Sequence, residues 1–340
     1  MRLKRIYVGR YRNLIDFECE FSDSKISAFI GNNGSGKSNL LEVIADVFSY
    51  AKNSIEKKHT GIIVTPDIED CIIEYEKDGV DYTFKSNYSD VSVYQGDKKL
   101  TASASVEALP SNVMVYYAGE TDRQRKNALD TYDNIYFNKL KNAKDDEFPG
   151  FKFMDYCSIE DLSMLLLVAA IYKGNYYEKL LQLLRCDEVL SNVTVYLKDP
   201  KGRSENADTF WNARGFVGKF LNILRRFVSS TQDLGRIYVM KFDDIAQLKE
   251  ISTGEGDMFA KLKALKNAGY INFINISLKS NSGEKFDWEC LSEGEKQLSL
   301  LLLLTSFTSQ YDCLYLFDEF DAFLHPNWQR NFSQMLNEIA

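Results

Sequence analysis

Apolar and polar residues alternate over residues 2 to 8 and 14 to 21, which predicts two strands joined through Gly9-Arg10-Tyr11-Arg12-Asn13. An apolar run, Ile26-Ser27-Ala28-Phe29-Ile30, then reads as a buried strand. Leu40, Leu41, Ile44, Val47 and Phe48 follow at helical spacing. From about Gly61 to Tyr94 the pattern is β-rich. Cys71 to Glu76 and Val80 to Lys85 flank Asp78-Gly79, a hairpin-turn pair, and a second turn falls at Gln95-Gly96-Asp97. Val113 to Tyr117 reads as another buried strand.

A polar stretch, 127 to 150, ends in Lys144-Asp145-Asp146-Glu147-Phe148-Pro149-Gly150 and marks a surface loop or domain boundary. Beyond it the pattern turns helical. Ser158-Ile159-Glu160-Asp161 resembles a capped helix start, with Leu162, Leu165, Leu166, Ala169 and Ala170 at helical spacing. Trp211, Val217, Phe220, Leu221, Leu224, Phe227 and Val228 predict a second amphipathic helix, and shorter ones fit 244–251 and 257–267. Tyr270 to Leu278 and Phe286 to Cys290 alternate again. The expected layout is an N-terminal β-rich lobe over 1–126, an inserted, mainly helical lobe over 127–268, and a C-terminal lobe over 269–340.

Between the run at 26–30 and the first helix lies Gly31-Asn32-Asn33-Gly34-Ser35-Gly36-Lys37-Ser38. A glycine-rich loop between a strand and a helix is the context a phosphate-binding loop requires. Glycines let the backbone turn tightly so that N–H groups converge on phosphate oxygens, and the helix start points its positive end at the same anion. Lys37 would reach the β- and γ-phosphates, and the Ser38 hydroxyl would ligate Mg2+. Asn32, Asn33, Gly34, Ser35, Gly36, Lys37, Ser38 and Asn39 are the candidate nucleotide contacts.

Two later segments narrow this chemistry. Leu291-Ser292-Glu293-Gly294-Glu295-Lys296-Gln297 opens an apolar helix, with Ser292 as cap and Glu295 at the capping-box position. Cys313 to Phe317 is an apolar strand ending in Asp318-Glu319. Beside a phosphate loop, Asp318 would hold Mg2+ through water and Glu319 would polarise the attacking water as general base.

The bulk properties exclude some classes. With 340 residues, 45% hydrophobic and 26% charged, the chain can bury a substantial core. A net charge of −8 argues against a uniformly basic nucleic-acid coat. The six cysteines are scattered without a CxxC pair, which fits reduced thiols in a cytoplasmic protein. Leu162 to Tyr172 and Leu298 to Phe307, the longest apolar runs, fall short of the roughly 20 residues that span a bilayer; no membrane partner is expected.

The order and residues of the three motifs resemble the ABC-type ATPases, in the soluble branch of SMC-related, RecF-like and OLD-family proteins. The resemblance implies an α/β fold: an ABC-ATPase head, with a P-loop core sheet and an antiparallel β lobe, carrying the inserted helical lobe. Within it Gly31 to Ser38 is the Walker A loop, Leu291 to Gln297 the signature, and Cys313 to Glu319 the Walker B strand. The resemblance makes Arg12 in Tyr11-Arg12-Asn13 a candidate phosphate contact. It also makes Gln124, the glutamine nearest the strand 113–117, a candidate Mg2+ sensor. Phe320 to Gln329, with Leu324-His325-Pro326, looks like the D-loop of bacterial anti-phage defence ATPases of the Septu and retron-associated type.

In this family two heads sandwich two ATP molecules, so the resemblance implies a homodimer in which Ser292, Gly294 and Glu295 serve the ATP of the facing copy. The family's switch histidine follows the Walker B helix, and neither His59 nor His325 stands there. The expectation is therefore that the sequence continues past Ala340; the alternative is an ending that impairs the cycle. The functional expectation is a regulatory ATPase controlling a nuclease, either a partner or a C-terminal effector domain. The alternative is a DNA repair or recombination ATPase clamping nucleic acid, with Arg123 to Lys126 and Arg225-Arg226 as compact basic candidates. A transporter subunit is disfavoured by the long insert between loop and signature.

Overall fold

The computed structural model describes residues 1–55, 68–87, 90–118, 136–141, 147–202 and 206–320. Three sheets and the helices between them organise these residues. The first sheet is antiparallel and six-stranded, in the order β2-β1-β3-β4-β5-β6. It comprises β1 (Arg2–Tyr11), β2 (Leu14–Glu20), β3 (Glu69–Lys77), β4 (Val80–Asn87), β5 (Asp90–Gln95) and β6 (Lys98–Lys99). Alternation sets its register: Ile6, Val8, Ile73, Tyr75, Phe84 and Val93 all lie on the buried face. Asp78 and Gly79 both take positive φ, 52° and 76°, as the tight turn between β3 and β4 requires.

The second sheet is parallel and short, β14-β7-β8, from β7 (Asn112–Tyr117), β8 (Met154–Cys157) and β14 (Cys313–Asp318). Asp318 at its end lies opposite Tyr117. Helix α1 (Lys37–Ile55) bridges the first two sheets. Its Leu40, Val43, Ile44, Val47, Phe48 and Ala51 form one buried stripe. Phe48 meets Tyr75 edge-on at 5.9 Å and lies 6.1 Å from Phe84, and the helix also packs on β14. A small helix, α2 (Ala102–Ala108), also packs on α1.

The middle of the chain differs from the mainly helical expectation. The helices α3 (Leu162–Tyr172), α4 (Tyr177–Leu184), α5 (Gly215–Leu224) and α6 (Glu255–Asn267) form, but strands stand among them. These are β9 (Cys186–Lys198), β10 (Ser230–Asp233) and β11 (Ile237–Phe242), which join β12 (Ile271–Ser280) and β13 (Lys285–Asp287) in an antiparallel sheet, β10-β11-β9-β12-β13. The physical cause is visible in β9, where Val193, Val195 and Leu197 alternate with polar residues and all point inward. Pairing of β9 with β12, and of β7 with β8, crosses both expected boundaries. The signature helix α7 (Glu293–Thr308) packs against α3, α4 and α6. Almost every residue of α3 is buried, as an all-round apolar helix must be.

One expected strand does not form. Residues 26–30 lie in no ladder, and Ile30 is 97% exposed. A parallel strand needs a partner from elsewhere in the chain. Among the described residues β14 pairs with β7 alone, while the Phe29 ring packs edge-on against Phe21 at 5.8 Å.

A buried ionic cluster ties the parallel sheet to α6. Lys263 Nζ donates to Asp161 Oδ2 at 2.6 Å and to the Tyr156 carbonyl at 2.8 Å, and Lys266 Nζ donates to Asp161 Oδ1 at 2.8 Å. Asp161 also accepts the Ser158 N–H at 3.0 Å, so the predicted cap at 158–161 is present. Burial alone would raise the Asp161 carboxyl, but the two lysines outweigh it and hold it at about 2. A depressed carboxyl contributes stability in full above its ordinary 3.8 and loses it as pH falls toward about 2. Asp161→Asn should lower unfolding free energy at pH 7 by about 3–5 kcal/mol. In urea titrations across pH 5 to about 2, wild-type stability should fall more steeply than that of the variant.

Candidate functional site

The phosphate loop and the start of α1 form the first half of the site. Gly34 and Gly36 take φ of 82° and 100°, in the left-handed region that only glycine adopts freely. Within the loop, Ser35 N–H donates to the Asn32 carbonyl at 3.1 Å, and Leu40 N–H to the Gly36 carbonyl at 2.9 Å. Lys37 Nζ donates to the carbonyls of Gly31 at 2.7 Å and Asn32 at 3.1 Å. The ammonium is thus held at the loop's mouth by two neutral acceptors, which a phosphate could outcompete.

The second half comes from β14. Its last residue, Asp318, is 6% exposed and lies near the Ser38 side chain, whose hydroxyl favours its charged form. Burial raises the Asp318 carboxyl, while the Ser38 hydroxyl and the Glu319 N–H oppose that rise. A hydroxyl and a carboxylate brought together from α1 and β14 are the hard oxygen donors that suit Mg2+, which takes few protein ligands and completes its shell with phosphates and water. Glu319 follows at the strand's exit, exposed, with φ of 52°. A non-glycine residue held in that region beside a buried carboxylate marks a constrained site.

A hairpin tip closes the loop's other side. Tyr11-Arg12-Asn13 connects β1 to β2, and Arg12 takes φ of 53°. The Arg12 guanidinium pairs with Glu42 Oε2 at 2.5 Å, reaches Asn39 Oδ1 at 3.3 Å and lies over the Tyr11 ring at 4.8 Å. Tyr11 Oη donates to the same Glu42 oxygen at 2.9 Å. Arg12 therefore stands beside the phosphate loop, engaged by a carboxylate from the second turn of α1. Tyr11 and Asn13 entered the sequence reading only as the neighbours of Arg12, with no role of their own, and Glu42 did not enter it. The signal for Glu42 was its position one turn beyond Ser38, on the same helix face.

The signature residues sit at the start of α7. Ser292 caps the helix: its hydroxyl accepts the Glu295 N–H at 3.3 Å, and the Glu295 carboxylate accepts the Ser292 N–H at 2.9 Å. Ser292 is exposed and Gly294 is buried. Arg225, one of the basic candidates, is used internally: it donates to the Asp208 carbonyl at 2.7 Å and to Asn222 at 2.8 Å, over the Phe210 ring. Gln124, Arg123 to Lys126, His59 and the D-loop from Asp321 onward lie outside the described residues. The strand leading to Gln124 does end at the site, since Ala118 N–H donates to the Asp318 carbonyl at 3.3 Å.

The fold and these two halves define the head of an ABC-type ATPase. The RecF/RecN/SMC N-terminal domain matches residues 2–340, and the chain belongs to that family. It is similar to a retron Vc95 probable ATPase from Vibrio cholerae, at 24% identity over 99% of this chain and 68% of that protein. It is also similar to a DNA replication and repair protein RecF from Leptospira biflexa, at 39% identity over 25% of this chain; that match spans 23% of the RecF protein's length. Among solved structures, the SMC head domain from Thermotoga maritima aligns over all of this chain and 85% of that one, with 15% identity and a TM-score of 0.39. No described helix is long and apolar enough to cross a membrane.

If Ser38 and Asp318 share a cation, Asp318→Asn should weaken ATP binding in the presence of Mg2+ by about tenfold or more and leave binding in EDTA unchanged. Titration calorimetry with and without the metal checks this.

Proposed function

We propose that this chain binds and hydrolyses ATP with Mg2+, and that two copies close around two ATP molecules. The observation that carries the reading is the meeting of Ser38 and Asp318 across α1 and β14, with Glu319 one residue further on. Lys37 turns from the loop carbonyls to the β- and γ-phosphates, and the loop amides and the α1 N-terminus bind the same anion. Ser38 and, through water, Asp318 would hold Mg2+, which would offset the negative charge of the phosphates. Glu319 accepts the proton of the attacking water. Its exposed position suits a water-filled cleft that a second copy closes.

Ser292, exposed at the positive end of α7, is the residue that would meet the γ-phosphate held by the facing copy, with Gly294 and Glu295 behind it. ATP then acts as the bond between copies, and its hydrolysis parts them. Arg12 is a further phosphate contact once it leaves Glu42.

The wider role we propose is that of a cytoplasmic regulatory ATPase in an anti-phage defence complex, whose nucleotide state controls a nuclease. Similarity to the retron ATPase along nearly the whole chain supports this. The second reading is a repair ATPase that clamps DNA, favoured by the RecF similarity over a quarter of the chain. The internal use of Arg225 weighs against a basic clamp there.

Lys37→Ala should abolish ATP binding. Glu319→Gln should keep binding, lower turnover by about 10²–10⁴-fold, and accumulate as an ATP-bound dimer in size-exclusion chromatography. Full turnover in Glu319→Gln would remove Glu319 from the catalytic role. Duplex DNA affinity measured against salt separates the two wider roles: the clamp reading requires binding that weakens steeply with salt, and the nuclease-control reading does not.

A further inference from the structure

The tip of the β1–β2 hairpin does more than bring Arg12 near the loop. Asn13 Nδ2 donates to the Gly34 carbonyl at 2.9 Å, and Asn13 Oδ1 accepts from Asn39 Nδ2 at 2.5 Å. The carboxamide thus joins the phosphate loop on one side to the first turn of α1 on the other. The approach is close. A Cβ on Gly36 would meet Leu14 Cδ2 at 3.0 Å and the Asn13 carboxamide at 3.1 and 3.2 Å. Gly36 is therefore needed for its small size against the hairpin as well as for its φ.

The peptide unit between Gly34 and Ser35 is braced at both edges. Its carbonyl is held by Asn13, and its N–H donates to the Asn32 carbonyl. Because the peptide is planar and trans, the two groups point in opposite directions, and turning one turns the other. Gly34 makes this unit easy to flip, since glycine takes both signs of φ at little cost. A flip would break both of these hydrogen bonds and redirect the loop backbone that carries the neighbouring N–H groups.

We propose that Asn13 is the positioning residue of the phosphate loop, fixing the Gly34–Ser35 peptide and with it the course of the loop before nucleotide arrives. This rests on reading the loop as an ATP site. Lys37 must exchange the loop carbonyls for phosphate on binding, whereas Asn13 keeps its contacts. The hairpin is part of the six-stranded sheet, so the loop's shape is referred to a rigid body. The left-handed φ at Arg12 fits this role: the tip is held strained by contacts to Glu42, Asn39 and the Tyr11 ring.

The test compares wild type, Asn13→Ala and Asn13→Asp in the full chain. Asn13→Asp keeps the shape and the acceptor for Asn39 but cannot donate to Gly34. Hydrogen exchange of residues 34–36 in the nucleotide-free protein should be about three- to tenfold faster in both variants. The ATP dissociation constant should rise by a similar factor, more for the aspartate, with turnover at saturating ATP and the melting temperature nearly unchanged. Unchanged exchange at 34–36 in a folded variant would overturn the proposal, as would losses in affinity, turnover and melting temperature together. If Asn13→Ala does not fold, the isosteric Asn13→Asp decides. If wild type fails to bind ATP, the site reading falls, and the exchange measurement still decides the brace.

Discussion

The burial of α1 between two sheets is the constraint on which the rest depends. One stripe of the helix, from Leu40 to Ala51, is covered by the antiparallel sheet and the end of the parallel one. Six apolar side chains buried this way supply on the order of 10 kcal/mol before entropy is counted. That packing fixes where the first turn of the helix points. Ser38 meets Asp318 because α1 and β14 touch, and the loop before Ser38 must then turn back over them.

The charges follow the same division. On the outer face of the first sheet, Arg2, Lys4 and Arg5 of β1 are matched by Glu76, Asp81, Glu18 and Glu74 from neighbouring strands. Such exposed pairs contribute little to stability; their effect is to neutralise a strand that would otherwise be basic. The cluster around Asp161 is different, because Asp161 is buried and accepts from two lysines and a backbone N–H. It fixes α6 against the short parallel sheet, and α6 in turn supports the signature helix. Beside the phosphate loop, Glu42 gathers Arg12 and Tyr11. Burial raises the Asp46 carboxyl one turn further to about 7, with Glu42 adding to the rise and Arg12 opposing it.

Much of the fold was legible where local patterns are strong. The hairpins at β1–β2 and β3–β4, the helix after the phosphate loop, and the cap at Ser158 all follow from alternation, helical spacing and turn residues. Of the five-stranded sheet the β12–β13 hairpin was legible, but β9, β10 and β11 were hidden, although β9 alternates over Val193, Val195 and Leu197. Its partners β11 and β12 lie on either side of two helices, and long-range pairing leaves no local mark. The run at 26–30 misled for the complementary reason: apolar character suits a strand but does not supply a ladder partner.

The sequence by itself determined the residue types of the candidate site. Glycines at 34 and 36, a lysine and serine opening a helix, and an Asp-Glu pair closing an apolar strand are choices of residue type, and residue type is written locally. Only the tertiary structure decided how these parts hold one another. Asn13, Tyr11 and Glu42 carry no role that their own sequence assigns, yet they shape the loop because a hairpin tip, a phosphate loop and a helix face meet in space. Which carbonyl an asparagine holds, and which carboxylate an arginine pairs with, depends on distances between elements that only packing sets.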